Sequence, residues 1–275
     1  MTGSEPLQGK RIGIIGAGVM GAALSRGLIQ ASAAPAGCIV LSDPHAGHLS
    51  ALRESLGVST TPSNAEVARQ SDIVVLAVKP QTIPPVLVEI GDWMRADQLL
   101  ISIAAGVRIA SIEDSLDAPV PVIRAMPNTA AQVNLAATAY CRGTHVDDSH
   151  MACAGAIFRS IGETVEVDER MMDAVTALSG SGPAYVYLMI EALVDGGVKV
   201  GLPRDLAHQL AAQTVFGAAR MVQVTGRHPA ELKDMVATPS GTTITALAAL
   251  EHSGFRAALI DAVERAAQRA AELGQ

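Results

Sequence analysis

The sequence predicts an α/β fold in which a doubly wound, mostly parallel sheet comes first and an all-α domain follows. Segments patterned like buried strands alternate with helical segments over about the first 165 residues. A glycine-rich turn joins the first strand to the first helix, the arrangement of a Rossmann-type unit. From residue 171 onward no strand pattern returns. We therefore place two domains, at residues 1–168 and 169–275.

Composition limits the kind of protein this can be. The chain is 49% hydrophobic but only 3% aromatic, so its core has to consist mainly of aliphatic side chains. A formal net charge of −7 argues against a nucleic-acid partner, because such proteins usually present a basic face. The apolar segments are too short for a membrane span, and residues 1–11 lack the apolar centre of a signal peptide. Cys38, Cys141 and Cys153 have no C-x-x-C spacing, which favours buried thiols in a reducing compartment. We expect a cytoplasmic protein without a nucleic-acid or membrane partner.

The glycine turn indicates a dinucleotide. Residues 12–15 are patterned as a buried strand, and a helical pattern begins near Met20. Between them Gly16, Gly18 and Gly21 have the G-x-G-x-x-G spacing. In that context the first glycine lets the chain turn, the second admits a pyrophosphate, and the third lets the helix pack against the strand. The helix N-terminus would then face the phosphates. The alternative is a tight turn without a ligand.

An acidic residue follows the second predicted strand, at residues 38–42. Asp43 stands about 20 residues after the last of the three glycines, where such units place the carboxylate that binds a ribose 2′-hydroxyl. That position favours NADH. His45 and Arg53 lie just beyond and could instead meet the 2′-phosphate of NADPH. The plain alternative for Asp43 is a turn residue before the following proline.

The remaining elements of the N-terminal domain follow from periodicity. The run at 72–78 is almost continuously β-branched and suits a central parallel strand, whose end at Lys79 and Pro80 reaches the ligand-binding edge of such a sheet. Ala104 and Ala105 follow another strand, where small side chains leave room for a ligand or make a tight turn. Further strands are predicted at 98–103, 121–124, 138–141 (an outer strand) and 163–167, and helices at 61–71, 84–94, around 109–112 and at 149–161.

The C-terminal part is predicted to be entirely helical. Residues 183–190 are apolar almost all round, so we expect this helix to be buried, within its own domain or by a second subunit. The Ser179–Gly182 stretch is expected to break a helix and let backbones approach. His145 and His150 flank two aspartates, but a surface loop explains them better than a metal site, and no metal is expected. The helices are predicted at 171–179, 183–200, 204–225, 229–236, 243–252 and 255–273.

Six stretches together resemble pyrroline-5-carboxylate reductases over nearly the whole chain. The resemblance implies reduction of the cyclic imine 1-pyrroline-5-carboxylate to L-proline, the last step of proline biosynthesis, by hydride transfer from NADPH, or from NADH. It also implies that the helical domain is a dimerisation domain and that the protein forms a homodimer or a larger assembly, up to a decamer. The stretches are GAGVMG (16–21), AVKPQ (77–81), RAMPNT (124–129), ALSGSGPAYVY (177–187), LKDMVATPSGTTITAL (232–247) and GFRAALIDAVERA (254–266).

The resemblance also implies site residues. Thr243 would be the catalytic residue, the hydrogen-bond partner of the ring nitrogen. Ala130 and Ser240 depart from the family pattern, which usually has proline and glycine there, and serine costs backbone freedom at a turn. The substrate-binding residues would be Ser240, Gly241, Thr242 and Thr243. The cofactor-binding residues would be Gly16, Gly18, Val19, Met20, Gly21, Asp43, Ala77, Val78, Lys79, Pro80, Ala104, Ala105 and Asn128.

Each of these assignments has a simpler alternative. Thr242 or Thr243 could only cap the following helix, Lys79 could be a solvated lysine, and Asn128 could bond only its own turn. For the whole protein, one rival is a reductase of another cyclic imine or a 3-hydroxyacid dehydrogenase relative. The hydroxyacid enzyme would need a lysine that acts as general base in the helical domain, where only Lys199 and Lys233 occur. A second rival is a non-catalytic dinucleotide sensor, which would not need the threonine loop.

Overall fold

The computed structural model describes residues 5–274, which form two compact units. The sheet unit comprises the chain up to Ser181 together with the segment from Arg265 onward, and the helical unit is Gly182–Glu264. The domain boundary at 168/169 remains a prediction, and its outer limits at residues 1 and 275 lie outside the described residues.

The sheet unit contains eight strands in the order β3-β2-β1-β4-β5-β6-β7-β8. All neighbouring pairs are parallel except β6 and β7. The chain runs outward from β1 on one side and then returns to place β4 on the other, as in a doubly wound sheet. The strands are β1 (Ile12–Ile15), β2 (Ile39–Ser42), β3 (Ser59–Thr61), β4 (Ile73–Leu76), β5 (Leu99–Ser102), β6 (Val122–Met126), β7 (Ala136–Arg142) and β8 (Gly162–Glu166).

Helices cover both faces of this sheet, and the predicted fold class is confirmed. Leu24 and Phe158 are fully buried on one face, and Val67 and Ile112 on the other. The core is aliphatic, as the composition required; Phe158 is the one aromatic among the largest fully buried side chains of the described residues. The helices of this unit are α1 (Val19–Gln30), α2 (Ala46–Leu56), α3 (Asn64–Gln70), α4 (Ile83–Ile90), α5 (Ile109–Glu113), α6 (Asp148–Arg159) and α7 (Met172–Val175).

Three local predictions were incomplete or wrong. Helix α2 and strand β3 were not predicted, because α2 contains Gly47 and other weak helix formers and β3 has only three residues. The strand predicted at 138–141 as an outer one lies inside the sheet, since β8 pairs along its far side. The helix predicted at 171–179 changes after α7 into a π-helical turn, Thr176–Gly180.

The helical unit is built from long helices around a small core. Val194, Ala207 and Ala211 are buried at its centre, with Ile190 and Val198 packed against them. No helix in the described part of the chain has the length and apolar character that crossing a bilayer requires. The helices are α8 (Gly182–Lys199), α9 (Arg204–Thr225), α10 (Pro229–Met235), α11 (Thr242–His252) and α12 (Phe255–Leu273), the last of which continues into the sheet unit.

Candidate active site

The glycine turn lies between β1 and α1 at the carboxyl edge of the sheet. Gly16 has a φ of +106°, and a Cβ there would lie 2.6 Å from the Ala77 carbonyl oxygen, so a side chain is excluded. Gly21 packs against the Gly16 carbonyl oxygen so closely that a Cβ would overlap it. Gly18 is the N-cap of α1 without a side-chain cap, and a Cβ there would meet no atom within 4 Å. The turning and packing roles predicted for the first and third glycines are confirmed, and open space faces the second.

Most of the other predicted cofactor residues lie at the same edge. The hydrogen bonds between neighbouring parallel strands continue past the strand ends. The Ala77 N–H donates to the Ile15 carbonyl (2.8 Å), and the Ile103 N–H donates to the Leu76 carbonyl (3.1 Å). Val19 is exposed and Met20 half-buried at the start of α1. A cavity of about 300 Å³ opens beside the turn, lined in part by Gly16, Asp43, Asn64, Val78 and Thr82.

The segments after β4 and β5 differ in exposure. Ala77 and Val78 are half-buried, whereas Lys79 and Pro80 are exposed. Ala104 is buried and Ala105 half-buried. The turn after them has a φ of +77° at Gly106, where a Cβ would lie 3.5 Å from Leu273 near the end of α12. The tight turn foreseen as the alternative for Ala104 and Ala105 is therefore present.

Asp43 is buried at the end of β2, and both of its carboxylate oxygens accept hydrogen bonds. Oδ2 accepts from the Ala17 N–H in the glycine turn (2.9 Å), and Oδ1 accepts from the His45 N–H (2.8 Å). Burial by itself raises the pKa of the Asp43 carboxyl, but these hydrogen bonds outweigh it, so the pKa lies below its ordinary value. The side chain is thus an ionised anchor of the glycine turn.

Two imidazoles stand beside this carboxylate. His45 Nδ1 lies 3.1 Å and His48 Nδ1 3.3 Å from Asp43 Oδ1. The sequence analysis noted His45 only as a phosphate contact and missed His48, although the D-x-H-x-x-H spacing was visible. Ligand atoms of the three residues all lie within 4.8 Å of one another, so this group has the composition of a metal site.

Asn128 connects two of the motif stretches. Its Oδ1 accepts from the Ala130 N–H (3.2 Å), and its Nδ2 donates to the Ser179 carbonyl (3.0 Å). A Cβ on Gly180 would lie 2.5 Å from Met126 Cε, so the close neighbour here is a side chain and not the backbone that was predicted to approach this stretch. The side chain of Asn128 therefore makes the turn contact that was its alternative role, and its contact with a cofactor remains a prediction.

Sequence reasoning missed Arg124, a buried cation in the middle of β6. Its guanidinium lies 3.2 Å from Glu169 Oε1 and 3.5 Å from Asp173 Oδ1. Glu169 also accepts the Ile109 N–H (2.8 Å). The three charged residues join the sheet to the segment that leads into the π-helical turn. Arg124 and Glu169 are 45 residues apart in the sequence, so no local sequence pattern indicates their contact.

The predicted substrate loop forms the start of α11 in the helical unit. Gly241 is the N-cap and has no side-chain cap, so neither threonine caps the helix. The N–H groups of the first turn, from Thr242 onward, have no partner within the helix. They point outward from its N-terminus, where the helix dipole is positive. Ser240 has a φ of +58°, which confirms the expected cost of a non-glycine residue at this turn. Thr242 is exposed and Thr243 half-buried.

The cysteines agree with the expectation of free thiols. Cys141 and Cys153 are buried and Cys38 is half-buried, and none of the three forms a disulfide. Burial raises the pKa of the Cys141 thiol to about 12, and burial also raises the pKa of Cys153. Neither of the two buried thiols has the character of a nucleophile.

The sheet and its glycine turn define a dinucleotide-dependent oxidoreductase, and comparison with known proteins agrees. Residues 11–106 match the family profile "NADP oxidoreductase coenzyme F420-dependent", and residues 169–273 match "Pyrroline-5-carboxylate reductase dimerisation". The chain is 46% identical to pyrroline-5-carboxylate reductase of Methanosarcina acetivorans over 98% of its own length and all of the relative's. It belongs to the pyrroline-5-carboxylate reductase family, as the six motif stretches predicted.

Solved structures support the same assignment. Pyrroline-5-carboxylate reductase from Coxiella burnetii superposes with a TM-score of 0.90 at 37% identity, covering 97% of this chain and 99% of the other. The Plasmodium falciparum pyrroline carboxylate reductase, solved with NADP bound, gives a TM-score of 0.88 at 34% identity and covers 98% and 99% of the two chains.

Proposed function

We propose that this protein reduces 1-pyrroline-5-carboxylate to L-proline with NADPH, as the last step of proline biosynthesis. The observation that carries the proposal is the match, over 98% of this chain and all of the relative, to a pyrroline-5-carboxylate reductase. The reaction needs a site for the dinucleotide, which the glycine turn of the sheet unit would provide, and a site for the substrate carboxylate, which the start of α11 in the helical unit would provide. NADH is the second candidate cofactor.

The sheet unit would hold the cofactor. The open space at Gly18 and the free N–H groups at the start of α1 suit the pyrophosphate. Val19 and Met20 begin that helix, and Ala77 to Pro80 with Ala104 and Ala105 would line the ribose and nicotinamide. Asp43 Oδ2 accepts one N–H and keeps a lone pair for a ribose hydroxyl. An NADP-bound relative at 34% identity supports NADPH over the NADH that Asp43 alone would favour.

The helical unit would hold the substrate. The first-turn N–H groups of α11 can bind its carboxylate without a cation, and Ser240 and Gly241 shape the turn that presents them. Thr243 would hydrogen-bond the ring nitrogen. NADPH supplies the hydride, which adds to the imine carbon while a proton adds to nitrogen. Because an imine is readily protonated, the site needs no strongly tuned acid, and none of the predicted site residues is a histidine.

Assembly and location complete the proposal. Residues 169–273 match a profile described as a dimerisation domain, so we expect a homodimer, with larger rings up to a decamer as the finer possibility. This dimerisation domain would correspond to the second domain predicted from the sequence, residues 169–275. Unpaired thiols are consistent with a reducing cytoplasm, where we expect the enzyme to act.

The test is NADPH oxidation by the purified protein with 1-pyrroline-5-carboxylate, comparing Thr243→Ala, Thr243→Ser and Thr245→Ala. We expect Thr243→Ala to lose about 10²-fold in kcat/KM, the usual contribution of a positioned proton donor. Thr243→Ser should retain most activity because it keeps the hydroxyl. Thr245→Ala is the matched control, because the Thr245 hydroxyl is already bonded to the Gly241 carbonyl (3.0 Å).

Other outcomes lead to the rival functions. Turnover of a different cyclic imine or a hydroxyacid, but not of 1-pyrroline-5-carboxylate, would replace the substrate and keep the enzyme class. Tight NADPH binding without turnover of any of them would favour a sensor. If all three variants were as active as the unchanged protein, the enzyme assignment would stand and Thr243 would have no part in the mechanism.

A further inference from the structure

The end of β2 carries a cluster of three ligating groups, of which the proposed function uses only Asp43. Asp43 Oδ1 lies 3.1 Å from His45 Nδ1 and 3.3 Å from His48 Nδ1. Two imidazole nitrogens and one carboxylate oxygen are a ligand set typical of Zn²⁺ and related divalent transition metals. Among the described residues this is the only group of three or more such side chains that converges in this way.

The spacing of the ligand atoms fits one ion. Zinc binds imidazole nitrogen and carboxylate oxygen at about 2.0–2.2 Å, so neighbouring ligands around a tetrahedral ion stand about 3.3–3.5 Å apart. The nitrogen–oxygen separations of 3.1 and 3.3 Å fall within a few tenths of an ångström of that range, and all three ligand atoms lie within 4.8 Å of one another. Without an ion, Nδ1–H groups can donate to Oδ1, and metal binding replaces those protons.

The local backbone holds the three ligands in place. Asp43 is anchored by the Ala17 and His45 N–H groups, the kind of outer contact that orients a metal-binding carboxylate. His45 is the N-cap of α2, and the His48 N–H donates to the His45 carbonyl (3.0 Å) in the first helical turn. Both imidazoles therefore project from a fixed turn rather than from a mobile loop.

The cluster also has an open side. The His45 and His48 side chains are 74% and 53% exposed, whereas that of Asp43 is 10% exposed. An ion bound here would have its protein ligands on the inner side and solvent on the other. It would bind Oδ1 of the carboxylate whose Oδ2 the proposed function gives to the cofactor's ribose.

We propose that Asp43, His45 and His48 bind one divalent transition-metal ion of the Zn²⁺ class, and that this ion weakens binding of the dinucleotide. The effect on the dinucleotide rests on the proposed function, whereas the metal site itself does not. The ion would bind Oδ1 while the ribose hydroxyl bonds Oδ2, and the positive charge on Oδ1 would make Oδ2 a weaker acceptor. Bound metal would therefore weaken NADPH binding.

The metal site is tested with Co²⁺, whose visible absorption reports a protein-bound ion with nitrogen and oxygen ligands. Tag-free protein, treated with chelator and then dialysed, is titrated with Co²⁺, and the bound ion is displaced with Zn²⁺. We expect one equivalent for the unchanged protein and at least tenfold weaker binding for His48→Gln. His145→Gln, an exposed histidine outside the cluster, is the matched control and should bind like the unchanged protein. Equal Co²⁺ spectra and affinities for His48→Gln and the unchanged protein would overturn the site.

The effect on the dinucleotide is tested by NADPH fluorescence with and without Zn²⁺. In the unchanged protein the apparent Kd for NADPH should rise severalfold to a plateau as Zn²⁺ saturates the site, and in His48→Gln it should not rise at the same Zn²⁺ concentrations. Saturable Co²⁺ binding combined with an unchanged NADPH Kd would overturn this effect. If NADPH failed to bind even without metal, the proposed function would fail, while the Co²⁺ titration would still decide the metal site.

Discussion

The two units of this protein bury their apolar side chains to very different degrees. In the sheet unit the central strands and their covering helices place Ile14, Leu24 and Val74 at 0% exposure. In the helical unit only Val194, Ala207 and Ala211 are buried. Large apolar side chains of α8, α9 and α11 remain exposed instead: Val186, Tyr187, Leu188, Leu193, Leu206, Leu210, Phe216, Met221, Val222, Val224, Ile244 and Leu250.

This difference shows which unit is complete by itself. A sheet covered on both faces satisfies its own apolar surface, whereas a helix that is apolar all round needs another surface. Exposed patches of this kind in a single chain mark interaction sites. The contrast thus supports self-association through the helical unit, as the proposed function expects.

The largest effect should come from placing a charge in that exposed surface. Leu188 on α8 is 68% exposed, and Leu188→Glu should convert the proposed dimer to monomer, because an unpaired carboxylate would have to be buried on association. Sedimentation velocity or light scattering over a range of concentrations measures the change. Val88→Glu is the matched control: Val88 on α4 is 82% exposed in the sheet unit, and assembly should be unaffected.

Two results would contradict this interpretation of the two units. If Val88→Glu dissociated the protein as well, the sheet unit would not be complete by itself. If Leu188→Glu left the assembly intact, Leu188 would lie outside the interface, and a scan of α9 residues such as Phe216 would be needed to find one.

The sequence predicted local features of the fold better than it predicted contacts between distant residues. The strands were predictable as short continuous apolar runs, the glycine turn from its spacing, and the long helices from a repeat of 3.6 residues. Helix α2 was missed because Gly47, His48 and Ser50 weaken its pattern. The left-handed φ of Ser240 could be anticipated from its departure from glycine, because a turn position is a local property.

Contacts between distant residues were not predictable. The pairing of Arg124 with Glu169 and Asp173, and the bond from Asn128 to the Ser179 carbonyl, depend on how the chain returns to the sheet. The π-helical turn at Thr176–Gly180 has no periodic pattern of its own. Asp43 was found by its spacing, but its engagement with Ala17 and two imidazoles required the fold.

An intermediate effect is expected from removing the buried cation of the sheet unit. Arg124 is 4% exposed, and Arg124→Met should lower the free energy of unfolding by about 2 kcal/mol, because Glu169 and Asp173 lose their partner. The value is below that for a fully buried pair, since both carboxylates are about one-third exposed. Urea unfolding at one protein concentration measures it.

The control for Arg124 is another arginine of the same sheet. Arg142 is 44% exposed, although it also pairs with two carboxylates, Glu166 and Asp148. Arg142→Met should change stability much less than Arg124→Met, because exposed ion pairs contribute little. Equal losses in the two variants would mean that burial is not what gives the Arg124 contacts their strength.

The smallest effect tests whether the well-packed unit is itself free of defects. Thr138 on β7 is 1% exposed, and its hydroxyl has no hydrogen-bond partner among the described residues. Valine has nearly the same shape and the same preference for strands, so Thr138→Val should raise the free energy of unfolding by about 1 kcal/mol. Urea unfolding of Thr164→Val, the residue paired with it on β8 and only half-buried, supplies the control and should show little change. A loss of stability in Thr138→Val would show that the hydroxyl has a partner in solution. A gain would show that the packing of the sheet unit can still be improved from within.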